Sequence, residues 1–313
     1  MTPLPLSHTN LSVSPLCFGT AEWGTDTPTS QAEALLTDFL AAGGNFLDTA
    51  HVYAFWRPGG VGQSERTVGE LVRRLDCRDR VVIATKGGHP DAGLDYPRPA
   101  DFLSASRLAA DIRESLERLG TNTIDLYYLH RDDGHTPAGE IIERLNEHVR
   151  ARTVRYLGAS NWSPARIREA NEYAAQNSLQ GFVVSQALYS YAVPAMEMTT
   201  DPTMRFVDED TDRFHRETGL PLVAYSAAAN GYFAGKPNGY DTPINVARRQ
   251  RAQIVGEQVG ATPTQIAVAW LLHQPFPIYP AFSSGSHDHL REVVEAVSVS
   301  LTPEQITYLN TDE

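Results

Sequence analysis

Short continuous apolar runs alternate along this chain with stretches whose apolar positions recur at helical spacing. The runs are Leu16–Gly19, Phe46–Leu47 leading into Asp48, Val81–Thr85, Ile124–Leu129, Val154–Gly158, Gly181–Ser185, Leu220–Tyr225 and Phe276–Pro280. Helical patterns fall between them: Ser30 to Leu40, with Ser30 as capping residue, then Gly62 to Val72, Ser104 to Leu119, Pro137 to Arg150 and Pro164 to Ala175. Two further helices, Asn245–Val259 and Pro263–His273, precede the eighth run, and His287–Ala296 and Pro303–Asn310 follow it. Strands that are apolar throughout and largely alternate with helices imply a parallel sheet covered on both faces. Eight such units in 313 residues fit a closed (β/α)8 TIM barrel better than an open sheet. Leu11-Ser-Val-Ser adds one strand of a short N-terminal hairpin, and the surplus patterns are extra C-terminal helices. An open dinucleotide-binding sheet would carry G-x-G-x-x-G after its first strand, which Gly19-Thr-Ala-Glu-Trp-Gly24 does not match. With no linker and no internal repeat, residues 1–313 read as a single domain.

Composition narrows the partners. The chain is 42% hydrophobic, enough for a large core, and 26 basic against 38 acidic residues leave a net charge of −12. That balance argues against nucleic acid and anionic membranes as partners. No apolar stretch approaches the ~20 residues of a membrane span, and the N-terminus lacks the pattern of a signal peptide. Cys17 and Cys77 show no bridge or metal-ligand spacing and read as buried reduced thiols. A cytoplasmic protein is expected; its oligomeric state, including a homo-oligomer, is left open.

The chemistry lies where the apolar runs stop. Asp48, Lys86, His130, Asn161, Gln186 and Tyr225 each fall at or just beyond a strand end, the face on which barrels of this type place their active sites. Tyr53 follows Asp48 by five residues. A buried lysine needs a carboxylate partner, and a phenol near that ammonium has its pKa pulled down from about 10. Taken singly, Asp48 reads as a turn residue, Lys86 as solvated, His130 as structural and Tyr53 as loop packing. Together they form a set able to move a proton near neutral pH. A metal-dependent hydrolase using His51, His130 or His287-x-His289 is the weaker reading: no His-x-His closes the first strand, so no metal is expected.

These residues, with Leu157-Gly-Ala-Ser-Asn161-Trp, Ser185-Gln186 and Tyr225-Ser226, resemble the aldo-keto reductase family over about Leu11 to Asn310. The resemblance implies hydride transfer between a nicotinamide cofactor and a carbonyl or alcohol carbon. Tyr53 would be general acid and base, Lys86 held by Asp48 would tune it, and His130 would orient the carbonyl oxygen. Ser160, Asn161 and Gln186 would hold the carboxamide, with Asp48 beside the ring, Tyr225 stacked on it and Gly19 and Thr20 near the cofactor's bridge. Ser226, Ala227 and Gly231 would wrap the pyrophosphate. The family habit favours NADP(H), with NAD(H) or dual use as the alternative. In the segment that would meet the 2′-phosphate, Ala281 and His289 stand where lysine and arginine are usual; Ser283 and Ser284 would donate to the phosphate, and His289 would grip it best below about pH 6.5. Three departures stand out: Ala54 replaces the glycine after the tyrosine, Phe55–Val61 is an insertion, and Ser226-Ala-Ala-Ala-Asn230-Gly replaces the usual grip loop. A nucleotide-sensing regulatory subunit on the same fold is the alternative function. For substrate, Trp23, Phe55, Trp56 and Trp162 with Arg57 and Arg131 suggest an aromatic, polar mouth suited to a sugar or sugar-like compound.

Overall fold

The structure is a computed structural model that describes residues 1–195 and 201–311. The described residues form ten strands: β1 Leu4–Pro5, β2 Ser12–Val13, β3 Cys17–Gly19, β4 Phe46–Asp48, β5 Val82–Gly87, β6 Ile124–Leu129, β7 Val154–Ser160, β8 Phe182–Leu188, β9 Leu222–Tyr225 and β10 Ile278–Phe282. Strands β3 to β10 are parallel and close into a barrel in chain order, with β10 pairing both β9 and β3. The antiparallel pair β1–β2 is the short N-terminal hairpin. Leu6, Leu11 and Val13 from this hairpin pack with the barrel's interior residues.

The helices are α1 Thr29–Ala41, α2 Gln63–Arg74, α3 Ala105–Leu119, α4 Ala138–Arg150, α5 Pro164–Gln176, α6 Glu209–Thr218, α7 Pro243–Val259, α8 Pro263–Leu272, α9 His287–Glu295 and α10 Pro303–Leu309. Inside the barrel Phe46, Leu126, Tyr128, Val184, Val223 and Tyr279 are buried against one another. Each such side chain contributes roughly 1.5–3 kcal/mol on leaving water. Around it, Phe18, Phe39, Ile83, Ile112, Leu129 and Leu157 belong to the large cluster that joins strands to helices. Among the described residues no helix is long and apolar enough to cross a membrane.

Three elements differ from the sequence expectation. Helix α6 lies in a stretch the apolar pattern leaves unassigned: only Phe214 and His215 of its ten residues are buried, so it carries almost no stripe. Its caps were the available signal, with Asp208 accepting from the Thr211 amide and Gly219 closing the end at a φ of 65°. Strand β10 runs Ile278–Phe282 instead of Phe276–Pro280, because Pro280 sits within the ladder opposite Ala224. Ser30 does not cap α1: the N-cap is Pro28, with no side-chain bond. By contrast Thr302 and Gln305 form a reciprocal capping box at the start of α10.

Candidate active site

The three polar strand ends meet at one end of the barrel. Asp48 closes β4 and is paired in the ladder with Ala84 of β5, two residues before Lys86. Gly87 must follow Lys86 without a side chain, since a Cβ there would lie 2.0 Å from the Tyr127 hydroxyl and 2.9 Å from Asp111. Lys86 is 1% exposed, and its ammonium donates to Asp48 Oδ2 at 2.6 Å, the Thr49 carbonyl at 2.9 Å and the Tyr53 hydroxyl at 2.9 Å. All three ammonium protons are therefore used. The second Asp48 oxygen accepts from Gln186 Nε2 at 3.0 Å. Because Tyr53 accepts from Lys86, its own O–H proton remains free for donation toward the cavity. The Tyr53 ring stands 5.9 Å from that of His130 in a T-shaped arrangement.

Burial changes the sign expected for the phenol. Desolvation is the largest influence on Tyr53 and raises its pKa, and the neighbouring Lys86 offsets this only in part. Burial also opposes the Lys86 charge, but Asp48 and then Tyr53 more than compensate, so its pKa lies above the ordinary value. His130 is pushed well below its ordinary value, first by burial and then by Arg131. Its Nδ1 is buried without a partner, and the tautomer protonated on Nε2 is the one that can donate to a carbonyl oxygen. The cluster is thus a neutral phenol, an ammonium and a neutral imidazole. With these signs, kcat/KM for carbonyl reduction is expected to stay level from about pH 6 to about pH 9. His130 is already neutral at the lower end, and Tyr53 is still protonated at the upper. A pH–rate profile checks this; a break near pH 6.5 that disappears in His130→Gln contradicts it.

A cavity of about 980 Å³ extends from this cluster. Asp48, Tyr53, His130 and Arg131 line it, as do Gly19, Ser160, Asn161, Gln186, Tyr225, Ser226, Ala227, Gly231, Ser283, Ser284 and His289. The cavity is at the upper end of the size of ligand pockets, and its length from β4 to α9 suits an extended molecule. Asn161 ties two walls together: its amide nitrogen donates to Ser160 Oγ and the His130 carbonyl, while its oxygen accepts from the Tyr225 hydroxyl at 2.9 Å. Ser226, Ala229 and Asn230 all have positive φ, 48–57°, so the loop after β9 turns sharply without glycine at those positions. Buried His289 Nε2 has no partner and Lys236 lines the same end of the cavity, which fits an anionic or polar ligand group there. Burial pushes His289 below its ordinary pKa, with Glu292 opposing this only in part. Its charging therefore belongs below pH 6.5, and at neutral pH the ring brings no charge. The chain has only two lysines, Lys86 and Lys236, and the second was missed in the sequence because it follows a turn and ends no strand.

Several expected residues lie elsewhere. Trp23 is 1% exposed and packs edge-on against Phe18 in the core. Trp162 is likewise buried, 5.1 Å from Phe182 with Arg166 over its ring. Neither forms the mouth, because each ring's apolar area is buried beneath its own loop. Arg57 points away from the cavity and pairs with Asp26 at 2.7 Å. Phe55 and the half-exposed Trp56 meet edge-to-face beside Tyr53 without lining the cavity. Thr20 is fully buried beneath the site, bonded to the Asp48 carbonyl and Ser64. Ala54 takes a φ of 68°, so alanine adopts a glycine-like conformation at a cost of roughly 1–2 kcal/mol. His51, weighed as a metal ligand, spends its ring nitrogens on Tyr96 at 2.8 Å and Glu114 at 2.9 Å. His287 pairs with Asp38 at 2.5 Å. No sequence signal marks the His51 network, whose partners are distant in the chain.

Comparison with known proteins agrees with this architecture. The profile described as "Aldo/keto reductase family" matches residues 15–311. An uncharacterized oxidoreductase, YrpG, of Bacillus subtilis is 30% identical over 97% of this chain and 94% of its own length. Norsolorinic acid reductase B of Aspergillus parasiticus is 29% identical over 95% of this chain and 80% of its own. A crystal structure of a thermostable aldo-keto reductase, Tm1743, with the inhibitor epalrestat superposes at a TM-score of 0.75 and 24% identity, covering both chains fully, and supports the fold. The relatives carry oxidoreductase and reductase names, which goes against the regulatory-subunit alternative.

Proposed function

The chain belongs to the aldo/keto reductase family of NAD(P)-dependent oxidoreductases, and from that premise we propose that it reduces a small-molecule carbonyl with Tyr53 as proton donor. The observation that carries this reading is the Tyr53–Lys86–Asp48 chain of short hydrogen bonds at the cavity floor. The bound nicotinamide would supply the hydride and accept it in the reverse direction. The protein's part is placement and proton control. Ser160, Asn161 and Gln186 would hold the carboxamide, and Tyr225 would lie against the ring. The His130 Nε2–H and the Tyr53 O–H would both donate to the substrate oxygen. As negative charge grows there, Tyr53 gives up its proton, and the Lys86 ammonium 2.9 Å away stabilises the phenolate left behind. Asp48 keeps that ammonium charged and fixed.

For cofactor choice we favour NADP(H), with Lys236 as the charge at the far end of the cavity and His289, Ser283 and Ser284 as polar contacts. Asp288, Glu292 and Glu295 line the same end and oppose a phosphate, so the preference is expected to be modest. Turnover of an aldehyde and ketone panel with NADPH and NADH tests the whole reading. Lys236→Ala is expected to lower the NADPH/NADH ratio of kcat/KM about tenfold, and His289→Ala to lower it less at pH 7. A wild-type preference for NADH, or an unchanged ratio in Lys236→Ala, would overturn this assignment. A sugar-like substrate keeps support only from Trp56, whose ring is 6.4 Å from that of Tyr53. Including sugars in the panel, with Trp56→Ala, decides that point.

A further inference from the structure

Beside the proton-donating cluster the cavity wall carries a second cation, Arg131. It directly follows His130 at the mouth end of β6, and its side chain is only 9% exposed. Nε donates to Thr203 Oγ1 at 2.9 Å and Nη1 to the His130 carbonyl at 2.9 Å. Asp201 accepts from Nε at 3.4 Å and from Nη2 at 3.3 Å, longer than the 2.7–2.9 Å of a tight charge-assisted pair. The Asp201 side chain is 34% exposed, so water shares its charge. A guanidinium has five N–H donors. Nε, Nη1 and Nη2 each have a bond to Thr203, His130 or Asp201, and one hydrogen on each of Nη1 and Nη2 remains uncommitted. The Arg131 charge also reaches the neighbouring rings: after burial it adds to the downward shift of His130, and it offsets part of the burial-driven rise of Tyr53 and Tyr225.

We propose that Arg131 is an anion anchor of the substrate site, and that the preferred substrates are short aldehydes or ketones carrying a carboxylate close to the reacting carbonyl. This deepens the carbonyl-reductase reading and rests on it. The carbonyl carbon gains the hydride, its oxygen gains the Tyr53 proton, and the carboxylate passes through unchanged against the two remaining Arg131 N–H groups. A planar guanidinium with paired donors matches a carboxylate better than it matches a sugar hydroxyl. His130 and Arg131 both line the cavity, so one substrate can meet both. A neutral carbonyl compound gains nothing from the Arg131 charge.

The test compares 3-carboxybenzaldehyde with its methyl ester, using NADPH and the full-length enzyme. Wild type is expected to favour the acid by about tenfold or more in kcat/KM, the worth of a hydrogen bond to a charged group. Arg131→Gln is expected to lower kcat/KM for the acid about tenfold more than for the ester, with the difference mainly in KM, and Arg131→Lys to restore part of that difference. Raising the salt concentration should raise KM for the acid alone in wild type, a readout that needs no variant. Equal losses for acid and ester in Arg131→Gln, with ester preference or no salt effect in wild type, would overturn the proposal and leave Arg131 as a staple for the Asp201–Thr203 loop. Failure of wild type to turn over the ester as well would instead remove the reductase reading on which the proposal stands.

Discussion

Replacing Tyr53 by phenylalanine is expected to lower kcat/KM for carbonyl reduction by ~10²–10⁴, the usual worth of a positioned general acid. The ring and its packing against His130 and Trp56 stay, so only the hydroxyl is lost. Lys86 keeps its bonds to Asp48 and the Thr49 carbonyl, so stability should change by no more than about 1 kcal/mol. Cofactor affinity, read by fluorescence titration, should be nearly unchanged, because the nicotinamide contacts assigned above come from Ser160, Asn161, Gln186 and Tyr225. Near-wild-type turnover in a folded Tyr53→Phe variant would remove Tyr53 from the mechanism. A large loss of cofactor binding would point to a structural role instead.

Lys86→Met is expected to be the most damaging single change to the whole molecule, since it acts on both stability and rate. The methionine matches the length of the side chain but leaves the Asp48 carboxylate, 3% exposed, with Gln186 as its remaining side-chain partner. Removing one member of a buried ion pair typically costs 3–5 kcal/mol, because the other is left as an uncompensated charge. The phenolate would also lose the cation that stabilises it, so activity should fall at least as far as in Tyr53→Phe. Adding Asp48→Asn to Lys86→Met removes the stranded charge, and should recover much of the stability without recovering activity. Urea denaturation of the two variants beside wild type measures the first effect, and steady-state turnover the second. A single variant as stable as wild type would mean that the pair is not buried in solution as it is here.

Much of this was legible along the chain, and the reason is periodicity. Apolar strands that end at Asp48, Lys86 and His130, alternating with helices, are local features, and a parallel barrel places such ends on one face. The same logic placed Asn161, Gln186 and Tyr225 around a single cavity. What the sequence alone could not decide was the direction in which each side chain points and how far it is removed from water. Trp23, Trp162, Arg57 and Trp56 are all plausible mouth residues by position, yet two are core, one is tied to Asp26 and only Trp56 stands beside Tyr53. The sign of the Tyr53 shift is equally non-local: desolvation by the assembled barrel outweighs the one lysine that the sequence made visible. Arg131, just past a strand end, was legible as a mouth residue, whereas Lys236 became part of the cavity wall only once the loop after β9 had been brought around the same space. Strand ends are set by neighbours in the chain, whereas burial and charge balance are sums over every segment that packs there, and only the tertiary structure supplies that sum.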